Sequence, residues 1–442
     1  MARHLFGTDG VRGRAGHFLT AELALALARA AVSRMPQDGP QVLIIRDTRE
    51  SGEMLEAAIA AGVTSAGGDA LLGGILPTPA APLLLRRHGL DLAAVISASH
   101  NPYEDNGIKL FGSDGFKLHD DTEHEIEAAL GEPQPPASRV GRIRSLHGAL
   151  EDYLRELHVR FQDLDLSAIR VLLDCGNGAT YRAAPEIFRR LGAHVDVLAD
   201  QPDGRNINAG CGSTHLELLT EHMAQGQHDL GFAFDGDGDR VLAIDRSGAV
   251  VDGDELIALA ALGLNEQGRL AGSGVVVTVM TNYGFHRAME EAGIEVATTA
   301  VGDRYVLDEL RQRGWALGGE QSGHIIELGF GPSGDGIASA LLALEALGGR
   351  DLSERGAMRK LPQRLVNVRA PDGPALEATI GSQAVVEAIE QEQQALAGRG
   401  RVLVRSSGTE PLIRVMVEAP SEEETDEVCG RLARIVEQQL AG

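Results

Sequence analysis

Apolar positions along the 442-residue chain repeat one order three times. A short β-branched run stops at polar residues, an amphipathic stretch follows, and a second apolar run ends in a loop dense with functional groups. The first runs begin at Val42, Val171 and Val275, and the amphipathic stretches cover residues 54–66, 184–191 and 285–292. The second runs lead into Ser97-Ala-Ser-His100, Asp235-Gly-Asp-Gly-Asp239 and Gly319-Glu-Gln-Ser-Gly-His324. Each is a βα unit, and in open α/β sheets ligand groups collect beyond the carboxyl ends of strands. Three such loops are expected to converge on one cleft.

The last region follows another pattern: a strand at 363–369, a long helix at 376–396, two strands around 405–410, and a helix opened by Ser421-Glu-Glu-Glu424, a capping-box spacing. Breaker-rich segments at Gly131-Glu-Pro-Gln-Pro-Pro-Ala-Ser138 and Ala370-Pro-Asp-Gly-Pro374 punctuate the chain. The expected fold class is α/β: three related mixed α/β domains plus a smaller C-terminal α+β domain around a central cleft. The expected boundaries are 1–150, 151–250, 251–366 and 367–442.

Sixty-four acidic against 40 basic residues give a formal charge of -24, which argues against nucleic acid and anionic membrane as general partners. An anionic ligand must therefore be drawn in by a local basic cleft. Cys175, Cys211 and Cys429 are widely spaced, which suggests neither a disulfide framework nor a zinc site. With no signal-like start and no apolar stretch near 18 residues, a cytoplasmic location is expected.

Alternating carboxylates separated by glycine let Asp235, Asp237 and Asp239 face one point, as a hard cation requires. An EF-hand needs Gly at its sixth position and Glu at its twelfth, where this chain has Arg240 and Arg246. Three carboxylates completed by a phosphate oxygen suit Mg²⁺; a solvated acidic turn is the alternative. Ser99 next to His100 reads either as a nucleophile or as a turn, and no Gly-x-Ser-x-Gly elbow is present. Lys109 and Lys117 are two of only three lysines, the third being Lys360, so a compact ammonium is wanted where guanidinium would not serve. Arg405-Ser-Ser-Gly-Thr409 has the composition of a phosphate cradle, or of a plain hairpin loop. Glu320, Ser322 and His324 offer hydrogen bonds of the kind sugar hydroxyls need.

In this order, Phe6-Gly-Thr-Asp-Gly-Val-Arg-Gly13, Ser97-Ala-Ser-His-Asn-Pro102, Asp235-Gly-Asp-Gly-Asp-Arg240, Gly319-Glu-Gln-Ser-Gly-His324 and Arg405-Ser-Ser-Gly-Thr409 resemble the α-D-phosphohexomutase superfamily across the whole chain. The opening octet, Gln321 and the stretch from Ser406 to Arg414 look like the bacterial members that act on glucosamine phosphates rather than those acting on mannose phosphates. The resemblance implies a phosphoserine at Ser99 and one Mg²⁺ per chain on Ser99, Asp235, Asp237 and Asp239. It implies conversion of glucosamine 6-phosphate to glucosamine 1-phosphate through glucosamine 1,6-bisphosphate, on a route to cell-wall precursors. It assigns proton transfer or charge stabilisation to Lys109, Arg12, His100 and His324, and sugar contacts to Arg240, Gly302, Asp303, Arg304, Glu320 and Ser322. It assigns the phosphate not in transfer to Arg405, Ser406, Ser407, Gly408 and Thr409, where Gly408 offers backbone amides.

The residues alone reach the same chemistry. A phosphoserine carries about -1.5 to -2 charge at neutral pH and would be repelled by three neighbouring aspartates unless a cation stood between them. Other phosphohexose specificities, a metal-dependent phosphosugar hydrolase and a non-catalytic phosphosugar-binding regulator remain as alternatives. A small phosphosugar is the expected partner, and a homodimer is a further possibility.

Overall fold

The computed structural model describes residues 5–7, 9–35, 39–130, 137–369, 373–406 and 411–441. Its first sheet comprises β1 (Val11–Arg14), β2 (Gln41–Arg46), β3 (Asp69–Ile75), β4 (Leu92–Ile96), β5 (Asp105–Gly112) and β6 (Ile143–Ser145), ordered β1-β5-β4-β2-β3-β6. The second comprises β7 (Arg170–Asp174), β8 (His194–Leu198), β9 (Leu230–Phe234), β10 (Val241–Asp245) and β11 (Val250–Val251), ordered β11-β10-β9-β7-β8. The third is β13-β12-β14-β15, from β12 (Gly274–Thr278), β13 (Glu295–Thr299), β14 (Leu317–Gly319) and β15 (Ile325–Glu327).

One plan underlies all three. A central strand (β2, β7 or β12) pairs in parallel with the next strand on one side and with the one after on the other. That third strand then turns back into an antiparallel partner, β4 to β5, β9 to β10 and β14 to β15. The crossovers run through helices Ser51–Ser65 and Ala80–His88, then Thr180–Arg190 and Glu217–Met223, then Tyr283–Glu291 and Asp303–Arg313. Parallel strands buried on both faces read as unbroken apolar runs, and Val42, Leu43, Ile44 and Ile45 in β2 are all fully buried. Each turn from a parallel to an antiparallel strand carries one of the three loops singled out by sequence: residues 97–104, 235–240 and 320–324.

The fourth sheet, β16-β18-β17, is wholly antiparallel, built from β16 (Gln363–Arg369), β17 (Arg401–Ser406) and β18 (Leu412–Glu418). The single helix expected over 376–396 is two, Gly373–Ile380 and Gln383–Ala395. The break falls at Gly381, whose N–H still reaches back to Glu377 O, and at Ser382, which takes extended dihedrals. Glycine lowers helix propensity there, and serine favours a cap over an interior position. Helix Glu422–Ala441 starts where expected, with Ser421 Oγ accepting from Glu424 N at 3.2 Å.

The chain divides into two compact units, Met1–Met280 with Ile294–Arg355, and Thr281–Gly293 with Gly356–Gly442. The first unit holds the first three sheets; the second holds the antiparallel sheet together with helix Tyr283–Glu291. Inside the second unit, fully buried Glu418 accepts from Tyr283 N and from Arg401 Nε, both at 2.8 Å. Residues 131–136 and 370–372, which include most of both breaker-rich segments, lie outside the described residues, as do Ser407, Gly408 and Thr409 of the expected phosphate cradle. Among the described residues no helix is long and apolar enough to cross a membrane.

Candidate active site

The loop after β4 places Ser99 in the left-handed region, φ 52°, a conformation non-glycine residues adopt rarely and only where surroundings impose it. Its hydroxyl, buried, donates to Asp235 Oδ2 at 2.5 Å, so the serine loop of the first sheet meets the acid loop of the second. The approach is close because Gly236 carries no side chain: a Cβ there would sit 2.6 Å from Ser99 O.

Asp235, Asp237 and Asp239 each offer an oxygen within 4.8 Å of the others, and all three are buried. Asp237 Oδ2 accepts from Thr78 Oγ1 at 2.6 Å and from Lys109 Nζ at 2.9 Å, while Asp235 Oδ1 accepts from Arg240 N at 3.1 Å. Asp237 Oδ1 and Asp239 Oδ1 are buried with no hydrogen-bond partner among the described residues. Orphaned, buried carboxylate oxygens are costly, and two of them within a cluster of three aspartates fit a hard divalent cation. Burial, reinforced by Asp239 and Asp237, pushes the Asp235 carboxyl well above the usual range. Burial opposes the charge on Asp237 too, but Lys109 and the Thr78 hydrogen bond overcome it and hold that carboxyl low. Asp235 therefore holds a proton more tightly than an ordinary carboxyl, while Asp237 beside Lys109 stays ionised.

Lys109, on β5 and only 1% exposed, also lies 3.1 Å from Asp9 and 3.4 Å from Asp239. Burial would lower its pKa, but Asp237, Asp9 and Asp239 outweigh that and raise it, so the ammonium stays charged. The compact cation suggested by lysine scarcity is thus a fixed charge among acids. Arg12 pairs with Asp9 and donates to Ala98 O at 3.4 Å. His100 Nδ1 stands 3.3 Å from Ser99 Oγ; burial first, then Arg240 and Arg12, lower its pKa to about 4, leaving a neutral imidazole at pH 7.

A cavity of about 430 Å³ opens beside the acid loop, walled by Asp9, Arg12, Asp239, Arg240, Asp303, Glu320 and His324 among others. Glu320 Oε1 accepts from Gly302 N at 3.0 Å, and His324 Nε2 lies 3.9 Å from Asp303 Oδ2. Gly302 and Asp303 therefore belong with Glu320 and His324. Ser322, on the same loop, is exposed. Arg304 turns the other way, to Asp120 and to Glu123 Oε2 at 3.3 Å, and lines a neighbouring cavity with Phe116 and Arg311. In the C-terminal unit, Arg405 lies on β17 across from Arg414, and Ser406 Oγ donates to Glu377 Oε1 at 3.0 Å. Burial and then Arg414 lower the pKa of Arg405.

Sequence reasoning singled out Lys117 by lysine scarcity but gave no role to several other residues in this machinery. Thr78, Asp9 and Lys117 complete the charge network: Lys117 bonds Asp9 and also Asp303 Oδ2, the latter at 2.5 Å. Asp47, Arg49 and Asn208 hold the serine loop. Lysine scarcity was a signal for Lys117; a lone Thr or Asn gives none, because its partner is more than a hundred residues away in sequence.

Four family models match in succession, all described as Phosphoglucomutase/phosphomannomutase: alpha/beta/alpha domain I over residues 3–135, domain II over 151–248, domain III over 252–365 and the C-terminal domain over 365–435. A phosphoglucosamine mutase of Moorella thermoacetica is 50% identical over 98% of both chains. One from Pelotomaculum thermopropionicum is 48% identical over 98% of this chain and 99% of its own. A Phosphoglucomutase/phosphomannomutase family protein from Burkholderia thailandensis, at 23% identity, superposes with a TM-score of 0.83 over 98% of each chain, which shows the shared fold. Identity near one residue in two, sustained from end to end, extends the likeness beyond the fold, and the chain belongs to the phosphoglucosamine mutase family of phosphohexomutases.

Proposed function

We propose that this protein is a phosphoglucosamine mutase, an isomerase that moves a phosphoryl group between O6 and O1 of glucosamine through a phosphoserine at Ser99. The observation that carries the reading is the 2.5 Å contact between the Ser99 hydroxyl, held in a rare backbone conformation, and the buried acid loop. Phosphoryl transfer asks little covalent work of a protein and much positioning and charge stabilisation.

In the forward direction the O1 hydroxyl of glucosamine 6-phosphate attacks the phosphoryl on Ser99. The P–Oγ bond breaks, the P–O1 bond forms, the O1 proton passes to a neighbouring base, and the leaving Ser99 Oγ takes up a proton to become the free hydroxyl. Glucosamine 1,6-bisphosphate is then the intermediate; after it reorients, Ser99 Oγ takes the 6-phosphoryl and O6 recovers a proton. Lys109 supplies fixed positive charge beside the transferring group. Neutral His100, 3.3 Å from Ser99 Oγ, accepts the serine proton when the bisphosphate discharges. Glu320, Asp303 and His324 orient sugar hydroxyls, with Glu320 Oε1 fixed by Gly302 N. Residues 405–409 are read, from their motif alone, as the grip on the phosphate not in transfer. Asp235, Asp237 and Asp239 with Ser99 would hold Mg²⁺, which when bound offsets charge on the phosphoryl oxygens. The setting is the cytoplasm, where glucosamine phosphates feed cell-wall precursors.

Phosphorus NMR of glucosamine 6-phosphate with catalytic bisphosphate tests this directly. Positional exchange to the 1-phosphate is expected, abolished by chelator and restored by Mg²⁺. Release of inorganic phosphate instead would make the protein a hydrolase, and undiminished turnover in chelator would remove the cation from the acid loop.

A further inference from the structure

Arg49 is one of the largest fully buried side chains in the molecule, and the mechanism above does not use it. It follows β2, in the loop before helix Ser51–Ser65. Its guanidinium donates to Ser99 O at 2.8 Å, to Asn101 O at 2.9 Å and to Pro102 O, while Nε donates to Asp47 Oδ2 at 2.8 Å. Asp47 Oδ2 also accepts from Ser97 Oγ at 2.6 Å, and Ser97 Oγ accepts from Ser99 N at 2.9 Å. The bonds form a closed ring: the N–H of Ser99 leads through Ser97 and Asp47 to Arg49, and Arg49 returns to the C=O of the same residue. From the loop after β8, Asn208 Nδ2 donates to Ser99 O at 3.0 Å and to Asn101 O at 3.2 Å.

Taking the phosphoserine reading as its premise, we propose that Arg49, acting through Asp47 and Ser97, is a positioning residue that locks the Ser99 backbone in its left-handed conformation and so aims the hydroxyl at the acid loop. A buried ion pair is weak evidence for added stability, because desolvating both charges offsets their attraction. What the pair does supply is direction. Arginine presents five N–H donors in a rigid plane, so one side chain grips three carbonyls of one loop and a carboxylate together; a lysine, with its donors at a single point, would hold fewer. Holding a non-glycine residue at positive φ needs such over-determination, and a nucleophile displaced by about 1 Å can lose on the order of 10²-fold in rate.

Two variants test this, Arg49→Lys and the milder Ser97→Ala, which removes only the hydroxyl that joins Ser99 N to Asp47. Steady-state turnover of glucosamine 6-phosphate with Mg²⁺ and bisphosphate is measured per folded molecule, beside amide hydrogen exchange across the chain. Expected are a fall in kcat of about 100-fold for Arg49→Lys and about tenfold for Ser97→Ala, with KM within about threefold. Exchange should accelerate at residues 97–104 while protection elsewhere is kept. A kcat within twofold of wild type in both variants overturns the proposal. So does protection lost throughout the fold with kcat per folded molecule retained, which is the signature of a purely structural ion pair. Should the wild-type protein show no mutase turnover, the functional reading falls by itself, and exchange at residues 97–104 still decides whether Arg49 holds the loop.

Discussion

The loops at 97–104 and 235–240 occupy the same place in two sheets of one plan, each joining a parallel strand to its antiparallel neighbour. They are held in opposite ways. Around Ser99 the protein satisfies its own backbone, with Arg49 and Asn208 donating to carbonyls and Ser97 accepting the one N–H. Around the aspartates it stops short: Asp237 Oδ1 and Asp239 Oδ1 have no hydrogen-bond partner among the described residues, and Lys109 answers only part of the negative charge. One loop is finished as geometry, the other left open as charge. A phosphoryl carrier must sit in one place, whereas a cation site must leave oxygens uncommitted.

The most severe way to break this contrast is Ser99→Ala, which keeps the loop and removes the carrier. Mutase turnover should fall by on the order of 10³-fold or more while the circular dichroism spectrum is kept. Positional exchange near the wild-type rate would show that the phosphoryl travels by another group.

Next comes the charge side. Lys109→Arg keeps the positive charge but puts a larger, planar group into a site only 1% exposed, against Asp237, Asp9 and Asp239. We expect kcat to drop about 10- to 100-fold, in line with a misplacement of about 1 Å. Wild-type kinetics would mean that charge alone suffices at that position.

How much of this was legible in the chain follows from how far apart the interacting residues lie. The three-sheet plan could be read because each βα unit writes its own period locally, and the acid loop because Asp235, Asp237 and Asp239 are neighbours in sequence. The split of the helix expected over 376–396 could have been suspected from Gly381-Ser382, two weak helix formers in series. The ring around Ser99 could not. Asp47 and Arg49 meet Ser97 and Ser99 some fifty residues on, and Asn208 reaches them from the loop after β8. Contacts of that range leave no spacing to detect. Arg304 stands beside Gly302 and Asp303 in one motif yet turns to Asp120 and Glu123, because adjacent residues on a helix face different ways.

A smaller effect probes the seam between the two loops. In Gly236→Ala the new Cβ would stand 2.6 Å from Ser99 O and 2.8 Å from Asn208 Nδ2, so backbone must shift. The expected cost is about 1–3 kcal/mol in stability. Activity should fall by about tenfold, because the acid loop moves away from the carrier by a fraction of the ~1 Å that would cost 10²-fold. Chemical denaturation and steady-state kinetics on the same preparation measure both. A variant that unfolds earlier but turns over normally would show that the approach of the loops matters to packing only.

The smallest effect lies at the edge of the acid loop and separates its charge from that of the fold. Asp335, buried, caps helix Gly336–Leu347 by accepting from Ala338 N and also accepts from Tyr153 OH at 2.9 Å. Burial, only partly offset by those hydrogen bonds, pushes its pKa up to about 6. An acid whose pKa is higher folded than unfolded binds its proton more tightly in the native state. Its contribution to stability is therefore complete below about pH 4 and is lost as pH rises through about 6, a change of at most ~3 kcal/mol. Asp335→Asn keeps an acceptor for the cap and removes the titration. The stability of the variant, followed by denaturant unfolding from pH 4 to 7.5, should therefore decline less with rising pH than that of the wild type. Mutase activity at pH 7.5 should stay within about threefold, since Asp335 touches neither Ser99 nor the aspartates. Parallel pH curves for the two proteins would mean that the carboxyl is already ionised at pH 4, and that the Tyr153 contact holds it charged.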